Sequence, residues 1–385
     1  MHAFHKSAGI AFFSVLACSM CDAQVWEQSE GTAGLNMQCL LTDAGWVFSG
    51  GELGTFRSND EGATFSEANA GNSSIGPTRG FTSDGNFVYQ CTSNGVFRSS
   101  DNGGTWSQYS EGISQGLSHG MAFTSGRIWL ATQSGVYVSE DQAETWSAAG
   151  LENINVRCLT VIGESVFAGT IDEGLFRTTD YGETWSPINY GLTSSSFRAI
   201  EAHQGVLFAG GEIGTGVFRS IDEGETWTLL TGELPLGSYR GFASDAGWIA
   251  AGSFMSGVYV SSDFGDSWVQ VNEGLEDLSI FDLEFTDTHL FAATNTAGTW
   301  RFDRAALGSA AALEQLIEQA GIMVHPNPTS GQVTAGVELD ETWRIYDSEG
   351  RMVLAGIGPS VDFSTMPAGL YLLRTTTKWE RVIRD

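Results

Sequence analysis

A ten-residue phrase recurs six times along this chain of 385 residues. It reads FRSNDEGATF from Phe56, FRSSDNGGTW from Phe97, YVSEDQAETW from Tyr137, FRTTDYGETW from Phe176, FRSIDEGETW from Phe218 and YVSSDFGDSW from Tyr259. Its aspartates, Asp60, Asp101, Asp141, Asp180, Asp222 and Asp263, are spaced 41, 40, 39, 42 and 41 residues apart. A repeat of this length is one supersecondary unit that must stack on copies of itself to bury its apolar faces. Within the fourth copy the pattern runs Arg157-Cys-Leu-Thr-Val, a turn, Val166-Phe-Ala-Gly-Thr, a turn, Leu175-Phe-Arg-Thr-Thr, the aspartate turn and Thr184-Trp-Ser-Pro-Ile. Short β-branched and aromatic runs bounded by Gly and Asp predict four strands per copy, the content of a propeller blade, and exclude helices.

The aspartate has a local task. Its carboxylate can accept backbone N–H groups across the turn between third and fourth strands, and the glycine two residues on supplies positive φ. Phe65, Trp106, Trp146, Trp185, Trp227 and Trp268 follow each turn and are expected to plug the gap to the neighbouring blade. A seventh set, Phe281-Asp-Leu-Glu-Phe, Leu290-Phe-Ala-Ala-Thr and Gly298-Thr-Trp-Arg-Phe, lacks its fourth strand. The missing strand stands near the N-terminus, where Val25-Trp-Glu-Gln-Ser-Glu-Gly matches Ser267-Trp-Val-Gln-Val-Asn-Glu-Gly; Trp26 lies 39 residues before Phe65, in period. The expectation is an all-β chain: a seven-bladed β-propeller over 24–303, closed by its N-terminal strand so that no sheet edge stays open.

The phrase Ser/Thr-x-Asp-x-Gly-x-Thr-Trp resembles the BNR, or Asp-box, repeat family, whose copies occur in sortilin-like, sialidase-like and photosystem II stability factor-like propellers. The third copy departs from it, with Gln142-Ala143 in place of x-Gly. The resemblance implies that the six aspartates are structural.

Glycine is abundant, 49 residues against 7 prolines, as tight turns require. Net charge is −28 and lysine occurs only at Lys6 and Lys378. So acidic a chain has no basic stripe for nucleic acid or anionic lipid. No Gly-Lys-Ser/Thr exists, which excludes a P-loop. Residues 1–23 read as a signal peptide: His2, His5 and Lys6, then the apolar run Ala8 to Cys18, then Cys21-Asp22-Ala23. The run is too short for a membrane span. Val15-Leu16-Ala17-Cys18 matches a lipoprotein box imperfectly. Cys39, Cys91 and Cys158 remain after cleavage and are expected to be core hydrophobes without a disulfide.

Composition shifts after Asp303. Residues 304–322 are rich in Ala, Leu, Glu and Gln and predict a short helical linker. Residues 323–385 alternate again as strands with turns at Asn-Pro, Glu-Gly and Ala-Gly, the pattern of a small Ig-like β-sandwich. This segment resembles the C-terminal sorting domain (type A) of type IX secretion cargo at Pro326, Asn327, Pro328, Gly331, Asp347, Gly350, Arg351, Asp362, Pro367, Gly369 and Tyr371. The resemblance implies handling by the type IX secretion machinery, delivery to the medium or outer-membrane surface of a Bacteroidetes-type bacterium, and removal of the tail at the linker.

No metal or cofactor pattern is present; the histidines are scattered. Two overlapping G-x-S-x-G matches, at Gly112–Gly116 and Gly116–Gly120, lack the strand–turn–helix that a nucleophile elbow needs. Aligning the first strands brings Gln38, Arg79, His119, Arg157, Arg198, Arg240 and Asp282 to one register position, at the channel mouth opposite the aspartate turns. Arg79, His119, Arg157, Arg198 and Arg240 are therefore the candidate ligand site, suited to a carboxylate or phosphate. Glu52, Asp172-Glu173, Glu212 and Phe254-Met255 should lie on the same face. Arg57, Arg98, Arg177, Arg219 and Arg301, on third strands, are expected to be structural. The leading expectation is an exported propeller that binds a glycan or a protein; the alternative is a glycoside hydrolase, sialidase-like or polysaccharide-cleaving.

Overall fold

The structure is a computed structural model. It describes residues 25–71, 76–113, 117–231, 233–245 and 247–308, and six strands between Gln332 and Arg384. The expected signal peptide and the stretch from 309 to 331 lie outside the described residues.

Seven four-stranded antiparallel sheets follow one another around a ring. Blades 1 to 6 run Met37–Glu67, Thr78–Gln108, Ser118–Ala148, Val156–Pro187, Phe197–Leu229 and Tyr239–Gln270. Blade 7 takes three strands from Ile280–Asp303 and its outer strand from Glu27–Gln28, as the N-terminal sequence match predicts. Glu27 pairs with Arg301 and Gln28 with Trp300. Innermost strands touch in sequence order, and the ring closes where Met37–Asp43 meets Ile280–Phe285.

Burial follows position in the blade. Second strands such as Ser165–Thr170 are buried on both faces, because each blade is sandwiched between two others, while most of the two-residue fourth strands are exposed. Each of the seven gaps between blades holds its own apolar cluster; Phe48, Phe81, Val88 and Trp106 fill the first, and Trp26 joins Val258, Leu275, Trp300 and Phe302 in the last. Burial of such rings contributes roughly 1.5–3 kcal/mol per side chain, which makes the gaps, not the strand edges, the main source of cohesion.

The repeated turns carry one hydrogen-bond pattern. In the first, Ser58 Oγ and Thr64 N donate to Asp60 Oδ1 at 2.6 and 3.0 Å, Thr64 Oγ1 donates to Asp60 Oδ2 at 2.6 Å, and Gly62 N donates to Ser58 Oγ. Asp101, Asp141, Asp180, Asp222 and Asp263 repeat it. Gly62 sits at φ 73°, and a Cβ there would meet the Phe291 ring. The third turn manages with Ala143 at φ 70°. Trp106, Trp146, Trp185 and Trp227 reach back to carbonyls of the preceding blade at Ala68, Tyr109, Ala149 and Ile188. Trp26 does the same to Val271 at 2.6 Å, and so occupies the place of a turn tryptophan in blade 7. Trp268 instead bonds Gly265 in its own turn.

The third-strand arginines bridge blades. Arg57, Arg98, Arg177, Arg219 and Arg301 donate to the carbonyls of Asn102, Gln142, Glu223, Phe264 and Glu61, each a positive-φ residue in the next blade's aspartate turn. Blade 3 has Val138 at that position, and Arg127 compensates by stacking 3.9 Å over Tyr181.

Past Asp303 the chain forms a 3₁₀ helix, Arg304–Gly308, whose Ala306 and Leu307 are buried in the blade 6–7 cluster. Packing thus continues into the stretch expected to be linker. The C-terminal strands form a four-stranded antiparallel sheet, with Thr342–Tyr346 between Met352–Ile357 and Gly369–Thr375 and with Trp379–Arg384 outermost, and a pair, Gln332–Thr334 with Ser360–Asp362. Asp362, Gly369 and Tyr371 lie in these strands. Pro326, Asn327, Pro328, Gly331, Asp347, Gly350, Arg351 and Pro367 lie outside the described residues, as does Cys18.

Candidate functional site

Every innermost strand carries a β-bulge at its start. The pairing skips Gln38, Arg79, His119, Arg157, Arg198, Arg240 and Phe281. A bulged residue is left out of the ladder and its side chain is re-aimed. All seven line one cavity of about 350 Å³ at the channel mouth. The seventh member is Phe281, not Asp282 as sequence alignment suggests. In blades 1 to 6 the residue after the bulge is small: Cys39, Gly80, Gly120, Cys158, Ala199 or Gly241. Small residues are needed because the strands nearly touch at the axis; a Cβ on Gly241 would lie 2.5 Å from Asp282 Cα. Asp282 takes that second position and turns its Oδ2 to the Leu40 amide at 2.8 Å.

The mouth is unevenly charged. Arg157 Nη1 lies 3.1 Å from both ring nitrogens of His119, and Arg79 Nη1 donates to Gln38 Oε1 at 3.2 Å. Arg198 pairs with Glu212 at 2.5 Å. Arg240 stacks 3.6 Å over Phe254 and 5.1 Å from Phe281. Among the described residues Arg79, Arg157 and Arg240 have no carboxylate in ion-pair reach, and the buried Nε atoms of Arg79 and Arg240 have no hydrogen-bond partner. Burial, then the charges of Arg157, Arg79 and Arg198, hold His119 down at about 3, so it stays neutral. Burial and the neighbouring guanidiniums also lower Arg157 and Arg240. The cations feel one another, which is the cost of crowding them without counter-charges.

Deeper in the same channel stand Asp282, Glu284 and Glu201. Burial first, and then repulsion by Glu284, raise Glu201 to about 7, against a hydrogen bond from Ser244 Oγ at 2.7 Å. Burial raises Glu284 to about 7 against the Thr42 hydroxyl. Asp282 is pushed well above the usual carboxylate range by burial and by the other two. The channel thus carries guanidiniums at its mouth and carboxyl groups below them.

Sequence reasoning missed this carboxylate layer and the place of Phe281. It also missed Ile213, Leu236 and Leu278, exposed apolar residues that join Met255, which was expected on this face. A signal for Phe281 existed in the bulge-then-small pairing, which Phe281-Asp282 breaks. The three cysteines are free; Cys39 and Cys91 are buried, and burial pushes the Cys91 and Cys158 thiols up to about 12. Among the described residues no cluster of metal-binding side chains occurs and no helix is long and apolar enough to cross a membrane.

No curated protein matches the chain. Solved structures share its fold at low identity. The extracellular domain of the hybrid two component system BT4673 from B. thetaiotaomicron aligns with TM-score 0.61 at 16% identity, over 72% of this chain and 40% of that one. YCF48 bound to D1 peptide aligns with TM-score 0.58 at 16% identity, over 73% of this chain and 98% of that one. PorZ, a surface component of the type-IX secretion system of Porphyromonas gingivalis, aligns with TM-score 0.57 at 14% identity, over 93% of this chain and 60% of that one. Residues 323–384 match the family described as secretion system C-terminal sorting domain. That tail implies export, by type IX secretion, to the cell surface or medium of a Bacteroidetes-type bacterium.

Proposed function

We propose that this protein is an exported binding propeller of the Asp-box type, whose arginine mouth takes an anionic group, carboxylate or phosphate, carried by a glycan or a protein. One observation carries the reading. In a chain of net charge −28, three arginines converge on one cavity with no carboxylate partner among the described residues. Guanidiniums matched to a planar oxyanion make short paired hydrogen bonds. YCF48, of like fold, is seen with a peptide, and PorZ is a surface component, which supports binding at the cell surface.

The test is a thermal-shift screen of the full chain with oligogalacturonate, inorganic phosphate and a neutral cello-oligosaccharide, beside the triple variant Arg157→Ala/Arg198→Ala/Arg240→Ala. A ligand at a hundred times its Kd adds ~2.7 kcal/mol, a rise of several degrees. An anion-specific rise lost in the variant supports the site. Equal shifts in both proteins, or none with any anion, count against it.

A further inference from the structure

The mouth is divided between two chemistries. Blades 2 to 4 present Arg79, His119 and Arg157, a polar and cationic arc. Blades 5 to 7 present exposed apolar residues beside the Arg198–Glu212 pair and Arg240. Ile213, in the loop between the second and third strands of blade 5, is 75% exposed; Leu236 is 63% and Met255 70% exposed. Their backbones are tied together: Gly216 N donates to Gly237 O, Phe254 N to Ser238 O, and Met255 N to Leu278 O. Met255 holds φ at 116°, a conformation that costs a non-glycine residue of order 1–3 kcal/mol and that keeps its side chain outside. Arg240, flat between Phe254 and Phe281, joins the two halves.

A purely polar glycan would leave this apolar arc wet. Exposed apolar surface rimmed by charge marks a protein interface. The described chain enters and leaves the propeller on the opposite face. Trp26 enters from the aspartate-turn side, and the last strand of blade 7, Thr299–Asp303, runs down to that same side. Neither of these two described segments crosses the mouth face.

We infer that the mouth is a docking surface for an acidic–aliphatic segment of a partner protein, its carboxylate on Arg157 and Arg240 and its aliphatic side chains over Ile213, Leu236 and Met255. The occupant follows from complementarity: unpaired guanidiniums select a carboxylate, and the adjoining arc selects apolar side chains within one or two residues of it. This rests on the anion-binding reading and narrows it from glycan or protein to protein.

The experiment selects random twelve-residue peptides displayed on phage against the immobilised full chain, then measures the winners as free fluorescent peptides by polarisation. The comparison proteins are Leu236→Ser/Met255→Ser and Arg157→Ala/Arg240→Ala, each checked for unchanged melting. The expected winners hold Asp, Glu or a free C-terminal carboxylate beside Leu, Ile, Val or Met, and each double variant weakens them about tenfold or more. Winners without acid, no winners, or winners indifferent to the Leu236→Ser/Met255→Ser variant overturn the inference. Oligogalacturonate binding that is lost in the arginine variant and intact in the Leu236/Met255 variant, with no peptide selected, leaves the anion site standing and sinks only the peptide. Self-association by light scattering that disappears in Leu236→Ser/Met255→Ser also overturns it, in favour of a second copy of this chain.

Discussion

Single carboxyl groups in this protein are poised in opposite directions, and the difference comes from what surrounds them. Asp60, bonded by Ser58 and Thr64, is held down at about 2, and Asp180 and Asp222 are lowered by the same threonine and serine or threonine donors. Glu201 and Glu284, taken from water inside the channel, stand at about 7. At these two groups the folded state binds more protons than the unfolded one between about pH 4.5 and 7, so their contribution to stability falls as pH rises through that window, against the opposite and smaller contribution of the neutral His119 below about pH 6.5. Below about pH 4 the turn aspartates must be protonated to release their depressed values, so stability falls again with acid. Melting temperature measured from pH 3 to 8 should peak near pH ~5. Glu201→Gln/Glu284→Gln should make the limb above the peak shallower, with Asp282 keeping the remainder, and leave the acid limb intact. A wild-type profile level from pH 5 to 7.5 would contradict the assignment of these carboxyls.

Among elements, the N-terminal strand does the most with the fewest residues. Glu27–Gln28 is only two residues long, yet its flanks touch three blades: Trp26 N and Nε1 donate to Glu273 and Val271 in the chain just after blade 6, Arg301 pairs with Glu27 at 2.8 Å in blade 7, and Phe65 N donates to Glu30 from blade 1. An indole 2% exposed in the last cluster is the strongest single tie. Trp26→Ala should cost ~3–5 kcal/mol, the usual penalty for emptying a buried aromatic site. Urea unfolding of the variant reads this directly, and a loss below ~1 kcal/mol would mean that the ring holds without its closing strand. Exposed pairs such as Arg301–Glu27 contribute little alone. The carbonyl contact of Arg98 gains from the stacking of its guanidinium over Phe87 and Tyr109.

At the scale of the whole molecule, the ring separates its faces by task. Aspartate turns, Trp26 and the end of the strand Thr299–Asp303 occupy one face; the bulged side chains and the loops between second and third strands occupy the other. On a cell that holds the protein by its C-terminal part, the arginine mouth should point away from the surface. Leu53, 56% exposed on the mouth side, and Ile221, 75% exposed in an aspartate turn, give the test. With the native cysteines free but sequestered, Leu53→Cys displayed on cells should react with a bulky maleimide several-fold faster than Ile221→Cys. Equal rates would show no fixed orientation.

The period of the aspartate phrase and the alternation of its strands were enough to read seven blades, and the Trp26 match was enough to read their closure, because both depend on local pattern repeated in register. The clustering of Arg79, His119, Arg157, Arg198 and Arg240 at one mouth was legible for the same reason: equivalent positions in a ring converge. What the sequence did not determine is set by contacts between repeats. Phe281, not Asp282, stands at the mouth because blade 7 carries its bulge at the same place as the other six, one residue before the position that aligning the sequences suggests. Ile213, Leu236 and Met255 look unrelated in the chain, more than 18 residues apart at each step, and meet only where loops of three blades are bound together. Glu201 and Glu284 look like ordinary surface acids until the closed ring draws them, half-buried, into one narrow channel.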